Sequence, residues 1–139
     1  MATDSINLHF GVPGEGELIL RLFIDASASD AIRMDVEFRT AGLVANASAE
    51  LTPWGQGIDG LREFLRFMSE RWMGWDGDRL WQDDGGVLGI EAAHDRKSQV
   101  LLRVKLTPTQ TIDGAGMWSC AGTVAVEPGA IGVELARLN

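Results

Sequence analysis

The stretch IDGLREFLRFMSERW, residues 58–72, decides the fold, because its apolar residues recur at steps of three and four. Residues at this spacing lie along one face of a helix, and charged residues fill most of the remaining positions. Gly74 follows and can supply the left-handed residue that ends a helix. The stretch therefore predicts one long amphipathic helix whose buried face carries Ile58, Leu61, Phe64, Leu65, Met68 and Trp72.

The residues before this helix follow a two-residue rhythm instead. In IRMDVEFR, residues 32–39, apolar and charged side chains alternate strictly. That alternation is typical of an antiparallel strand with one buried face. Turn-forming stretches too short for crossover helices separate the segments, so sequential strands should form hairpins. Three further strands are predicted at residues 7–10, 18–24 and 43–51.

The second half of the chain repeats this order. Strands are predicted at residues 80–82, 87–94, 100–106 and 117–126, the last with Trp118 and Cys120 on its buried face. A cysteine in that position behaves as a small hydrophobic residue whose thiolate is disfavoured. Pro128 suits the first turn of a short second helix, which has apolar residues along one edge.

We therefore predict an α+β fold in a single domain, residues 1–139. Its antiparallel sheet has six to eight strands, curved or split in two. The long helix packs on that sheet, and a short helix ends the chain.

Charge and composition exclude several classes of protein. The 139 residues include 20 acidic and 12 basic side chains, a net charge of −8. This charge argues against nucleic-acid binding, which needs cations for the phosphates. No apolar run approaches the roughly 18 residues of a membrane span, and residues 1–5 lack signal-peptide features. We expect a cytoplasmic protein that binds neither nucleic acid nor membranes.

A tryptophan-rich segment, WMGWDGDRLW at residues 72–81, carries a resemblance to a known family. Together with GVLGIEAAHD at 86–95, Trp118 and GTVAVEPG at 122–129, it resembles DUF6228, a family of small, mostly actinobacterial proteins of unknown function. The resemblance spans roughly the second half of the chain. It implies a small standalone α+β protein and no particular activity. It also implies a glycine-containing turn after residue 95, where this chain has Arg96, Lys97 and Ser98.

Residues 55–60 spell G-x-G-x-x-G, the pattern of dinucleotide-binding loops. That fingerprint needs a buried parallel strand before it. Here the preceding segment alternates like an antiparallel strand, and Pro53-Trp54 interrupts it. The pattern therefore predicts a flexible connection between a strand and the helix, and we expect no cofactor.

Four carboxylates, Asp76, Asp78, Asp83 and Asp84, are dense enough to suggest a calcium site. Leu80 stands where a third alternating ligand would be, so turn chemistry is the preferred interpretation and no metal is predicted.

His94 beside Asp95 leaves an enzyme with an unrecognised site open, since catalytic groups assemble from distant positions. We prefer a histidine that caps a turn or satisfies a buried hydrogen bond. Two histidines and one cysteine are few for a zinc site, so none is predicted.

Five tryptophans without a tyrosine are an unusual mix, and we expect them to pack into the core nearby; the alternative is a partly exposed surface whose aromatic rings anchor a partner. The preferred interpretation is a non-enzymatic interaction module that binds a basic protein, as small acidic immunity proteins do. Its predicted contact residues are Trp75, Asp76, Asp78, Trp81, Asp83 and Asp84.

Two other possibilities stay open. An apolar cavity between helix and sheet could hold a small molecule. A homodimer could cover an exposed edge strand. The residues predicted to line the cavity are Phe64, Met68, Val104 and Trp118.

Overall fold

The computed structural model describes residues 3–25, 32–52, 57–108 and 118–138. These ranges contain strands and helices in the predicted order, four strands and a helix twice over. In chain order they are β1 (Thr3–Val12), β2 (Gly16–Asp25), β3 (Ile32–Thr40), β4 (Leu43–Leu51), α1 (Gly57–Glu70), β5 (Arg79–Gln82), β6 (Leu88–His94), β7 (Val100–Leu106), β8 (Cys120–Val126) and α2 (Pro128–Arg137).

The strands form two antiparallel sheets of four, each with its strands in chain order. The α+β class and the antiparallel pairing are therefore confirmed. The packing of the long helix differs from the prediction, because the main neighbours of α1 are α2 and the edge strand β5. The main neighbour of α2 among the strands is β1, at the edge of the first sheet. Each helix thus flanks a sheet edge.

Alternation along each strand determines which side chains enter the core. In β3, Met34, Val36 and Phe38 are buried while the charged residues between them are at least partly exposed. In β6 and β7 every second residue is buried as well. The inward faces of both sheets and the apolar sides of both helices belong to one hydrophobic cluster, so the two sheets share a core.

The Phe38 ring of β3 lies against Gly122 of β8, so the two sheets touch at this point. A Cβ atom added at Gly122 would lie 2.4 Å from Cζ of that ring. Phe38 is itself buried and its ring has little room to move. A side chain at position 122 would therefore clash with the Phe38 ring.

The helix α1 ends at Glu70, so the prediction that Trp72 lies on its buried face is wrong. Residues 71–73 form a turn, and the Gly74 N–H donates to the Arg71 carbonyl at 2.9 Å. The turn takes Trp72 off the helical face and leaves its side chain 62% exposed.

Trp118 was also predicted on a buried face, but it precedes β8 and is exposed. Cys120, at the start of β8, is partly buried against the core, and this burial raises the pKa of its thiol. Neither helix in the described ranges is long and apolar enough to cross a membrane.

Replacing Gly122 with alanine should lower the free energy of unfolding by about 1–3 kcal/mol, because the methyl group overpacks the core against Phe38. Gly89 on β6 is the matched control, since an added Cβ there meets no atom within 4 Å. Gly89→Ala should leave stability unchanged or raise it by up to about 1 kcal/mol. Urea denaturation of both variants tests this, and equal stabilities would contradict the proposed sheet contact.

Candidate functional site

Two large apolar side chains lie exposed next to each other in the loop between α1 and β5. Trp72 is 62% exposed and Met73 is 76% exposed. They line an open groove of about 750 Å³, which we call the Trp72–Met73 groove. Its other lining residues come from the end of α1, the β6–β7 turn and the start of α2: Ser69, Lys97, Ser98, Glu127, Pro128, Gly129 and Gly132.

A buried histidine holds this loop in place. The side chain of His94, at the end of β6, is 1% exposed. Its Nδ1 atom accepts a hydrogen bond from the Arg96 N–H at 2.8 Å, so the ring proton lies on Nε2. Nε2 then donates to the Trp72 carbonyl oxygen at 2.9 Å. The imidazole therefore joins the α1–β5 loop to the β6–β7 turn, and both predicted roles of His94 are confirmed.

The β6–β7 turn is closed by the neighbouring carboxylate. Asp95 Oδ1 accepts the backbone N–H groups of Lys97, Ser98 and Gln99 at 2.8, 3.0 and 3.0 Å. These hydrogen bonds, that of Gln99 foremost, hold the pKa of the Asp95 carboxyl below its usual value. Asp95 thus has a clear structural task in the turn.

Arg96 explains the departure from the expected glycine-containing turn. Its φ of 64° is the one positive φ found at a non-glycine residue in the described ranges. The turn therefore keeps a left-handed residue at this point, although an arginine occupies it. Outside the turn, the Arg96 guanidinium pairs with the exposed Asp76 carboxylate.

Three of the predicted contact residues are buried. Trp75 is 8% exposed and packs edge-on against Phe67 and His94, with both pairs of ring centroids 5.4 Å apart. Trp81 is 3% exposed and stacks on Phe64. Both tryptophans fill the space between α1 and the second sheet, so the expected packing into the core is confirmed for them and neither presents its ring on the predicted contact surface.

Asp83 is also buried, and its carboxylate accepts the Gly85 and Leu88 N–H groups in the β5–β6 turn. The remaining three predicted residues, Asp76, Asp78 and Asp84, are exposed. Asp84 accepts hydrogen bonds from Thr52, beyond the end of β4. The six residues therefore do not form one surface, and a partner-binding role for the exposed three stays a prediction.

The residues predicted to line an apolar cavity are also distributed differently. Met68 and Val104 lie in the shared core, Phe64 packs on Trp81, and Trp118 is exposed. Within the described ranges, no three histidine, cysteine, aspartate or glutamate side chains are placed to hold a metal ion. Gly55 and Gln56 of the glycine-rich pattern lie outside the described residues.

Sequence reasoning missed Met73 because it assigned the preceding residue to the helix. A signal was present, since Met73 stands between the last helical repeat and Gly74, where an apolar residue has no helical face to join.

The family model of DUF6228, described as a family of unknown function, matches residues 13–138. The chain belongs to the DUF6228 family. The match covers nearly the whole chain, so the family relationship extends beyond the second half, where the sequence resemblance was found. Neither a curated protein nor a solved structure matches this DUF6228 protein.

The left-handed conformation of Arg96 generates a stability prediction. Arg96→Gly and Arg96→Ala both remove the exposed ion pair with Asp76, but only glycine adopts a positive φ without steric cost. The glycine variant should be more stable than the alanine variant by about 1 kcal/mol. Urea denaturation measures the difference, and an alanine variant at least as stable as the glycine variant would show that residue 96 is unstrained.

Proposed function

We propose that this DUF6228 protein is a non-enzymatic interaction module that binds a basic protein through a surface centred on the Trp72–Met73 groove. The exposure of Trp72 and Met73 next to each other carries the proposal. Tryptophan and methionine are enriched in protein interfaces, where tryptophan supplies anchoring energy and methionine adapts to a partner's shape.

The way these side chains are held supports the same interpretation. The Trp72 carbonyl is bound from the inside by His94, while the indole of the same residue faces solvent. A loop fixed in this manner loses little conformational entropy when a partner binds. Preorganisation of this kind favours a docking surface over an accidental exposure of apolar area.

The negative charge of the chain indicates that the partner is basic. The chain carries a net charge of −8, and Asp76 and Asp78 are exposed on the same loop as Trp72 and Met73. Such a field speeds the approach of a positively charged protein, and apolar anchors then hold it. The groove would form the centre of an interface of about 800 Å² on this side.

Site-specific photo-crosslinking in the native cell tests the proposal. A benzophenone side chain at position 73 should form an adduct with one protein of net positive charge. The same group at Val44, an exposed apolar residue on β4, is the matched control and should not form that adduct. Adducts that are identical at both positions, or absent at position 73, would contradict the proposed surface.

Binding measurements on the purified protein and its crosslinked partner then separate the contribution of the apolar anchor from that of charge. Trp72→Ala should weaken binding by about 2 kcal/mol, roughly 30-fold in Kd. Asp76→Lys should mainly slow association and reduce its dependence on salt. A Kd unchanged by Trp72→Ala would remove the groove from the interface.

A further inference from the structure

A second groove, of about 610 Å³, lies between α1 and β5. Two arginines from opposite ends of the α1–β5 loop stack on the same ring in it. The Cζ atoms of Arg71 and Arg79 lie 4.2 and 4.1 Å from the ring centroid of Phe67. The two cationic groups can therefore be no more than 8.3 Å apart.

These two arginines lack a polar side-chain partner in the described part of the chain, although the protein has more acidic than basic residues. The other eight arginines each have one, and in seven cases it is a carboxylate. Arg33 is the most direct comparison for Arg71 and Arg79. It also stacks on a phenylalanine, Phe23, at 4.1 Å, but it pairs with Asp35 at 3.5 Å. Arg71 and Arg79 thus both lie against one ring, and no described side chain occupies their donors.

A buried indole also borders the same groove. Trp81 lines the groove, is 3% exposed, and its Nε1 atom finds no acceptor among the described residues. Because this atom is buried, the Trp81 indole N–H reports on a ligand in the groove rather than binding it.

The other charges of the groove limit the ligand. Glu70 and Asp78 also line it, and Glu63 does so while paired with Arg66. These carboxylates repel a dianion such as phosphate more strongly than a single negative charge. A planar carboxylate suits a guanidinium group, which binds it through two parallel hydrogen bonds, and a second cation nearby adds to the attraction. The Phe67 ring and the exposed Leu80 offer apolar surface beside it.

We propose that this groove binds a monocarboxylate attached to an apolar group, with Arg71 and Arg79 holding the carboxylate. The carboxylate belongs either to a free small molecule or to the carboxyl terminus of a peptide. No lining residue is shared with the Trp72–Met73 groove, so this site and the proposed function succeed or fail separately.

NMR titration of the full chain tests the site, using the Nε–H signals of the arginines and the indole N–H signals of the tryptophans. Benzoate should produce saturable shifts at Arg71, Arg79 and Trp81, whereas benzamide, the neutral control, should bind about tenfold more weakly. N-acetyl-Ala-Phe with a free carboxylate, against its amide, identifies a peptide terminus as the source. Absence of a saturable, carboxylate-dependent shift with both probes would overturn the proposal.

Variants locate the binding. Arg79→Gln should weaken benzoate binding about tenfold, and the matched control Arg33→Gln should leave it unchanged, although both remove an arginine stacked on a phenylalanine. Asp78→Asn should tighten binding, because it removes a repelling charge. Equal effects of the two arginine variants, or an affinity unaffected by Asp78→Asn, would contradict the assignment.

Discussion

The buried imidazole of His94 is the constraint on which the surface of this protein depends. It accepts the Arg96 N–H and donates to the Trp72 carbonyl, so one ring connects the end of the helical segment to the turn between two strands. With the proton on Nδ1 instead, neither bond would form. Nδ1 would then be a donor facing the Arg96 N–H, and Nε2 would be an acceptor facing the Trp72 carbonyl. Because the ring is buried, water cannot replace a lost hydrogen-bond partner, so the form with the proton on Nε2 is strongly favoured.

Through Trp75, the His94 ring is also in contact with the residues that support the second groove. Trp75 packs edge-on against His94 on one side and against Phe67 on the other. His94 holds the backbone behind the Trp72–Met73 groove, and Arg71 and Arg79 stack on Phe67 in the second groove. The tryptophan-rich segment thus contains both buried and exposed tryptophans. Trp75 and Trp81 build the support, and Trp72 is presented to solvent.

Much of the fold could be predicted from local rhythm. The alternation of residues 32–39 fixed both the strand and its buried face, because a strand places successive side chains on opposite sides. The sequence left open whether the strands form one curved sheet or two, since hairpin lengths say which strands are neighbours but not whether β4 and β5 pair across the helix. The predicted helix continued to Trp72 because that residue fits the helical spacing, whereas the backbone turn that begins after Glu70 depends on tertiary contacts.

The candidate site was less predictable for the same reason. Clustered tryptophans and aspartates suggested a surface, yet the inward parity of β5 buries Trp81 and the Asp83 carboxylate closes a turn. Arg96 is the opposite case. The family resemblance implied a special turn at a position where the residue itself gave no sign of one, and its positive φ supplies that turn.

A long-range ¹H–¹⁵N spectrum of the histidine side chains tests the central claim most directly. His94 should carry its proton on Nε2, which donates to the Trp72 carbonyl, while Nδ1 accepts from the Arg96 N–H. A His94 signal from the Nδ1–H form, or from a ring that exchanges rapidly between the two forms, would mean that the imidazole does not hold the loop. Trp72 and Met73 would then lack the fixed presentation on which the binding surface rests.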